Sequence, residues 1–473
     1  MGLNITGFIT NFAGRLAILS PHLARAAARL LGNPLRLLVG KPVERQLLIY
    51  QLPQARLALV NDLAIADTLL ADRAGTFPKS AALELLLRPL VGSGVFGQPG
   101  GDTVKQARRS YVRALSRIPE AEVTRITRDL TRQYLADWQR RGAAVPIPSE
   151  LSRLTIDVVT TATLGTCFTP AESQRFIELF FAYHQRANPL LVLLGPLTPT
   201  ACQQAVADMG LAAIGADMRA LIANRFLAPL MAAAPGACST PFAAALLETV
   251  GLPGDDGTRL AQDPAKQTAV LDELAVMLLA GHETTASVLS WLLWELSGTP
   301  AEQDTAARLL AEHAADAPAR EAVPNPAQQR LGALIQEALR LYPPIAFLLR
   351  DTTTDVVFRE KPIPAGSFMV VSPWTIQRHR ALWADPDTFD PTRWLAAAPP
   401  PAMAQRTAFI PFGQGPRVCP GKRFAEVEMY AILDELLGAW RLTRSSGRAP
   451  TPLGSLTTRP DYDFGLLIAP REH

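Results

Sequence analysis

The stretch PFGQGPRVCPGKRFAEVEMYAIL, residues 411–433, decides how the rest of the chain is read. A lone cysteine is ordinarily a small core residue. Cys419 instead stands among glycines, prolines and an arginine, just where a helical pattern begins. Gly413 and Gly415 permit positive φ and tight turns, and Gly421 lets a flat group come close to the backbone. Pro420 suits the first turn of the following helix, where its missing N–H is no loss. Cys419 is therefore expected at or near a helix N-terminus, whose dipole and free N–H groups favour a thiolate. Arg417, two residues away, adds a positive charge suited to a carboxylate.

The 473 residues suffice for two or three average domains or for one large core. Apolar residues make up 48% of the chain, enough to bury a sizeable core. Leucine and alanine dominate while β-branched and aromatic residues are sparse, which favours a mainly α protein with a small β portion. A formal charge of +3 is small for this length, so no general polyanion-binding role follows from it and no nucleic-acid partner is expected. Cys167, Cys202, Cys238 and Cys419 lie far apart without a CxxC pair, which fits a reducing, cytoplasmic compartment better than a zinc site or disulfide scaffold.

Residues 1–41 are apolar but interrupted by Arg15, Arg25, Arg29 and Arg36. No run reaches the roughly 18 uncharged apolar residues of a transmembrane anchor. The segment reads as an amphipathic lead-in packed on the protein surface, with peripheral membrane contact as the other reading. No composition shift marks a linker after it, so residues 42–473 are expected to form a single catalytic domain.

Residues 42–60 read as two short strands around a Pro-containing turn, and the pattern is mostly helical from about 105 to 340. Strand-like stretches return at 355–358, 367–372 and in the tail DFGLLIAP. Within residues 264–300 the pattern predicts one long helix of roughly 30 residues, about 45 Å, apolar nearly all round in its middle. Its middle nevertheless holds Gly281, His282, Glu283, Thr284 and Thr285. A glycine costs roughly 1 kcal/mol there relative to alanine, and buried polar side chains need partners. The expectation is a helix locally opened where a ligand approaches.

Taken together, these segments resemble the cytochrome P450s, the haem-thiolate monooxygenases. The family's haem-loop pattern F-x-x-G-x-R-x-C-x-G is matched by Phe412, Gly415, Arg417, Cys419 and Gly421. AGHETT at 280–285 resembles its oxygen-activation segment. QEALRLYPP at 336–344 carries the E-x-x-R pair as Glu337 and Arg340, and FDPTRW at 389–394 supplies Arg393. The resemblance covers roughly residues 40–470.

It implies a P450-like fold with haem b (iron protoporphyrin IX) between the long central helix and the Cys loop. Cys419 becomes the iron ligand, its electron-rich sulfur favouring O–O cleavage, with Phe412, Gly413 and Gly421 shaping the loop. Arg417, Arg350 and, on an early helix, Arg109 and Lys105 become partners of the haem propionates. Thr284 and Glu283 deliver protons to O2, while Ala280 and Gly281 leave room for oxygen and water. Glu337, Arg340 and Arg393 form a buried structural network. Val276, Met277, Ala280, Ile345, Ala346, Phe347 and Leu456 line the substrate pocket, with Val95 and Phe96 contributed by a flexible access loop, Gly94–Pro99. That lining suits an apolar substrate such as a terpenoid, steroid, fatty acid or aromatic.

No flavin or iron–sulfur domain follows the last strand, so electrons are expected from separate proteins. A ferredoxin and its NAD(P)H-dependent ferredoxin reductase, serving a soluble bacterial-type enzyme, is the first arrangement; a flavoprotein reductase is the other. Lys105, Arg109, Arg113 and Arg117 share one helical face. That face is either solvated or, with Lys422 and Arg423, a docking surface for an acidic electron donor. Two further readings are a peroxide-driven or non-oxygenase haem-thiolate enzyme, and a haem-based sensor or binding protein. Relatives that abandon O2 activation often lose the acid–threonine pair, which this chain keeps as Glu283 and Thr284.

Overall fold

The computed structural model of the chain describes residues 33–38, 44–51, 56–96, 102–187, 199–234, 240–252, 257–313, 324–395, 406–445 and 447–471. The lead-in before residue 33 and positions 97–99 of the access loop lie outside the described residues.

Helices dominate: α1 (Leu63–Ala71), α2 (Ala81–Val91), α3 (Asp102–Ser116), α4 (Glu120–Arg141), α5 (Ile147–Leu164), α6 (Pro170–Arg186), α7 (Pro199–Asp208) and α8 (Leu211–Ile222) come first. After α9 (Ala228–Ala232), α10 (Pro241–Thr249) and α11 (Gly257–Ala261) comes the long α12 (Pro264–Ser297). The series closes with α13 (Pro300–His313), α14 (Pro326–Leu341), α15 (Pro373–Ile376) and α16 (Lys422–Ala439).

The start of α12 follows from its sequence. The Asp263 side chain accepts from the N–H groups of Ala265 and Lys266, both at 3.1 Å, and Pro264 pre-sets the first helical φ. The helix then runs 34 residues, ending beside Gly298. It is long and apolar enough to cross a membrane by length and composition, yet 78% of its apolar window is buried inside the protein.

The expected opening at 280–285 does not occur: α12 is unbroken there. Gly281 serves a different end. A Cβ at this position would stand 2.8 Å from Cγ2 of Val159 on α5, a β-branched side chain with little freedom to move away. The missing side chain lets α5 lie close, and Thr155 of α5 donates to the backbone carbonyl of His282 at 3.0 Å.

Apolar burial gathers around the two halves of α12. Leu274, Val276, Met277 and Leu278 pack with residues of α2, α6, α8 and α10. Leu289, Leu292, Leu293 and Leu296 pack with Ile432, Leu433, Leu436 and Leu437 of α16 and with α14. Truncating any one of these buried leucines to alanine costs about 2–5 kcal/mol.

The β portion is small. A four-stranded sheet has the order β1 (Leu47–Gln51), β2 (Arg56–Val60), β7 (Phe368–Val371), β4 (Leu348–Asp351). Its β2–β7 pair is parallel, with Leu57 opposite Phe368, and β4–β7 is antiparallel, with Arg350 opposite Met369. β5 (Val356–Phe358) pairs with β6 (Lys361–Ile363), and β9 (Pro452–Gly454) with β10 (Thr458–Pro460). β11 (Gly465–Pro470) sits between β3 (Val145–Pro146) and β8 (Trp440–Arg444). The β9–β10 hairpin lies against α12, where Ser287 donates to the Thr458 carbonyl.

Candidate active site

The Cys loop is closed by its own backbone: Cys419 N–H donates to the Phe412 carbonyl at 2.8 Å and Val418 N–H to Gly415 at 3.1 Å. Gly413 and Gly415 have φ of 70° and 73°, left-handed values that suit glycine. A Cβ on Gly415 would stand 2.4 Å from the Leu70 carbonyl oxygen, so this glycine also lets the loop press against α1. Helix α16 begins at Lys422 with Gly421 as its cap. Pro420, expected in the first turn, precedes the helix instead, because Gly421 rather than Cys419 takes the capping position.

Backbone N–H groups of Gly421 and Lys422 donate to the Cys419 sulfur. Burial pushes its thiol pKa up, while those donors and the charges of Arg108 and Lys422 act the other way. Cys419 and Val418 nevertheless keep exposed surface as residues.

Helix α3 bridges this loop and the central helix. Arg108 donates to the Val418 carbonyl. Tyr111 is raised above the ordinary phenol pKa by burial first, then by the nearby charges of Glu273 on α12 and Cys419. Arg109, expected at the cofactor, is exposed. The correction is one residue, about 100° of helix, and it brings Arg108 to the loop in place of Arg109. The side chain of Lys105 lies outside the described residues.

Cations gather beside the loop. Burial lowers Lys79 to about 8, aided by the charges of Arg417 and Arg350. Burial and then Arg417 lower Arg350 to about 10, and its Nε lacks a hydrogen-bond partner among the described residues. Burial also lowers Arg417 and Arg108. Asp72 acts against this repulsion at Arg350 and Arg417, Glu84 at Lys79 and Cys419 at Arg108. The gathered positive charge fits the two propionates of a haem whose iron Cys419 would bind. Sequence reasoning missed Lys79 and Arg108. No local pattern marks Lys79, which an isolated β-bridge brings beside Arg350.

On α12, Ala280, Gly281 and Thr284 are half-exposed although the residues before and after them are buried. A gap in the burial of an interior helix means that these residues border internal space. The Thr284 hydroxyl donates to the Ala280 carbonyl at 2.8 Å, leaving its oxygen lone pairs free to accept. Glu283 is buried, and burial raises its pKa to about 7 against the opposing influence of Arg459 and Thr457. The Thr457 hydroxyl lies 3.3 Å from Glu283 Oε1 and 2.9 Å from Nε2 of the buried His184. Neither His184 nor Thr457 was singled out in the sequence.

Glu337, Arg340 and Arg393 come together behind the site. Arg340 reaches both carboxylate oxygens of Glu337, and Arg393 Nε donates to Oε1 at 3.0 Å. Trp394 Nε1 and Asp390 N–H each complete the carboxylate at 2.9 Å.

The family model for cytochrome P450 matches residues 46–464, nearly the whole chain. The chain belongs to the cytochrome P450 family. Cyclooctatin synthase of Streptomyces melanosporofaciens is 36% identical over 40% of this chain and 41% of its own length, so the chain spans less than half of that relative. Cytochrome P450 monooxygenase sphH of Aspergillus fumigatus is 25% identical over 87% of this chain and 77% of its own. The solved structure of CYP175A1 from Thermus thermophilus has a TM-score of 0.66 at 23% identity, covering 96% of this chain and 98% of its own. P450s are haem-thiolate oxidoreductases, and the residues described above suit that cofactor.

The expected P450 pocket residues fall largely in one apolar cluster. Val95, Val276, Met277 and Ala346 are buried in it, and Phe96, Phe347 and Leu456 pack against it. Ile345 is half-buried. Two acids of α12 hold the access turn: Ser93 N–H donates to Asp272 Oδ2 at 2.7 Å and Val95 N–H to Glu273 Oε1 at 3.1 Å. Asp272 also forms an ion pair at 2.6 Å with Arg219 of α8, which donates to the Leu90 carbonyl at 3.0 Å. Gly92, at φ 54°, has no room for a side chain, since a Cβ would stand 2.1 Å from Asp272 Oδ1.

Proposed function

We propose that this P450 is a monooxygenase that inserts one atom of O2 into an apolar organic substrate, using electrons from a separate redox partner. The observation that carries this reading is the buried Glu283 next to a half-exposed Thr284 on the same helix. Cys419 would hold the iron, and Arg417, Arg350, Arg108 and Lys79 the propionates. Bound haem supplies electron uptake and oxygen activation. Thr284, its O–H engaged by Ala280, accepts a hydrogen bond from water and holds that water at the internal space. Glu283, with a pKa of about 7, gives and regains a proton near neutrality, the range in which a general acid works best.

The apolar cluster around Val276, Met277 and Ala346 supports a small apolar substrate. Ferredoxin with its NAD(P)H-dependent reductase is the proposed electron source, with a flavoprotein reductase as the alternative. Arg109, Arg113 and Lys422 are exposed for such docking. Arg117 and Arg423 are engaged by Glu248 and Glu120, which weakens the basic face. A single catalytic domain and a soluble, cytoplasmic setting accompany this reading.

The test is the absorption spectrum of purified protein, reduced with dithionite and exposed to carbon monoxide. A strongly red-shifted Soret band is expected from a thiolate opposite carbon monoxide, together with substrate-dependent NAD(P)H consumption through a surrogate redox chain. Haem without such consumption would point to a sensor, and product formed with peroxide alone to a peroxide-driven enzyme. Replacing Thr284 by alanine is expected to release peroxide in place of product. Unchanged coupling would remove Thr284 from the mechanism.

A further inference from the structure

We propose that Lys79 couples the propionate site to the access turn, so that haem in its site tightens the hold on Phe96 at the border of the apolar cluster. Lys79 is then a positioning residue. The proposal rests on the haem-site reading above and is independent of the substrate.

The backbone around Lys79 is pinned to β4. Asp351 N–H donates to the Pro78 carbonyl at 3.0 Å, and Ser80 N–H to the Leu349 carbonyl at 3.4 Å. Ala81 N–H, in the first turn of α2, donates to Asp351 Oδ2 at 2.9 Å. An isolated bridge sets Lys79 opposite Arg350. The side chain therefore starts from a fixed base beside the cations.

It ends at the access turn. The Lys79 ammonium donates to the Phe96 carbonyl, and its nitrogen stands 5.6 Å from the centre of the Phe96 ring. Both contacts depend on the charge: a neutral amine forfeits the attraction to the ring face and donates a weaker hydrogen bond. Phe96 in turn packs against the apolar cluster that holds Val276 and Met277. An ammonium has three donors, so holding Phe96 leaves Lys79 able to meet a propionate as well.

The surroundings work against that charge. Burial, then the charges of Arg417 and Arg350, lower Lys79 to about 8, with Glu84 of α2 opposing them. Asp72 acts on the two arginines. A carboxylate placed among the three cations offsets their repulsion and favours the ammonium. Anion binding, the charge on Lys79 and the grip on Phe96 thus support one another, and linkage makes the effect reciprocal.

The remaining anchors of the turn respond to pH in the opposite sense. Asp272, paired with Arg219, accepts from Ser93 N–H, and Glu273 accepts from Val95 N–H. Burial, with Asp272 beside it, raises Glu273 to about 7. Rising pH ionises Glu273 and makes it the better acceptor. A grip that weakens above pH 8 therefore belongs to Lys79.

The experiment is hydrogen exchange at the Ser93 and Val95 amides of the full-length protein, loaded either with haem or with haem dimethyl ester, whose blocked propionates carry no charge. At pH 9 these amides should exchange about tenfold more slowly with haem, the change in charged Lys79 that one pKa unit gives. At pH 7, where Lys79 is charged with either pigment, the two should agree. Lys79→Met should exchange fast and equally with both. Lys79→Arg, charged at pH 9 without help, should exchange slowly with both.

Equal wild-type exchange at pH 9 overturns the proposal, as does a difference that persists in Lys79→Met. A matching difference at the Cys419 amide, bonded to the Phe412 carbonyl, would mean general loosening and also overturns it. Should Lys79→Met fail to fold, the wild-type comparison at pH 7 and pH 9 still decides. Absence of thiolate-bound haem in the carbon monoxide spectrum refutes the haem-site reading. Equal exchange in protein with the red-shifted band refutes the coupling alone.

Discussion

Arg340 grips Glu337 from one helical turn away, its Nε and Nη2 each 2.8 Å from a carboxylate oxygen, and neither side chain reaches solvent. A buried ion pair is costly unless every remaining donor and lone pair is used. Here Arg340 also donates to the carbonyls of Gln377 at 3.0 Å, Pro386 at 2.6 Å and Thr388 at 3.0 Å. Gln377 in turn accepts from the N–H of Ile410 at 2.9 Å, just before the Cys loop. The pair therefore fixes the segment from which that loop departs.

Replacing Glu337 by alanine leaves Arg340 charged and unpaired, which should cost about 3–5 kcal/mol. Haem content per protein and the thermal melting temperature should both fall. A folded, haem-replete Glu337→Ala would show that the network does not brace the loop.

Arg108 and Arg109 differ by one position and are predicted to differ in consequence. Arg108→Ala should speed haem loss to an acceptor protein about tenfold, equivalent to ~1.4 kcal/mol. Arg109→Ala, removing an exposed side chain, should leave that rate unchanged. Equal effects would refute the helical phase assigned to α3.

Gly281→Ala sets helix propensity against packing. Alanine gains about 1 kcal/mol in a helix interior, while the added methyl meets Val159 Cγ2 at 2.8 Å and should cost about 1–3 kcal/mol by overpacking. A net loss is expected in denaturant unfolding. In a Val159→Ala background the same substitution should become neutral or stabilising.

Glu283 has a folded-state pKa of about 7 against an ordinary 4.5. The folded form binds this proton more tightly, so stability is lost as pH rises from 4.5 through 7. The loss should reach about 3 kcal/mol. Unfolding free energies of wild type and Glu283→Gln should show a difference that shifts by that amount in favour of the glutamine between about pH 4 and about pH 8. A pH-independent difference would place the pKa near its ordinary value.

The turns of the Cys loop were legible because they are encoded locally: glycines, Arg417 and Cys419 fall within ten residues. The Glu337–Arg340 pair was legible for the same reason, and so were the outer strands, whose apolar runs are bounded by turn residues. Arg108 was not. Helix α3 and the residue after it carry Lys105, Arg108, Arg109, Arg113 and Arg117, and that density of positive charge leaves several helical phases equally plausible. Lys79, His184 and Thr457 escaped because tertiary approach alone brings them to the site. The predicted opening of α12 failed because Gly281 was read for what a ligand would need there. What approaches is Val159.

Asp272 ties two walls to one side chain. Its carboxylate meets Arg219 of α8 on one side and the N–H of Ser93 in the access turn on the other. Its two oxygens divide the work, Oδ1 facing Arg219 and Oδ2 facing Ser93. Parting α8 or the access turn from the central helix would therefore break a charged contact to one and the same residue.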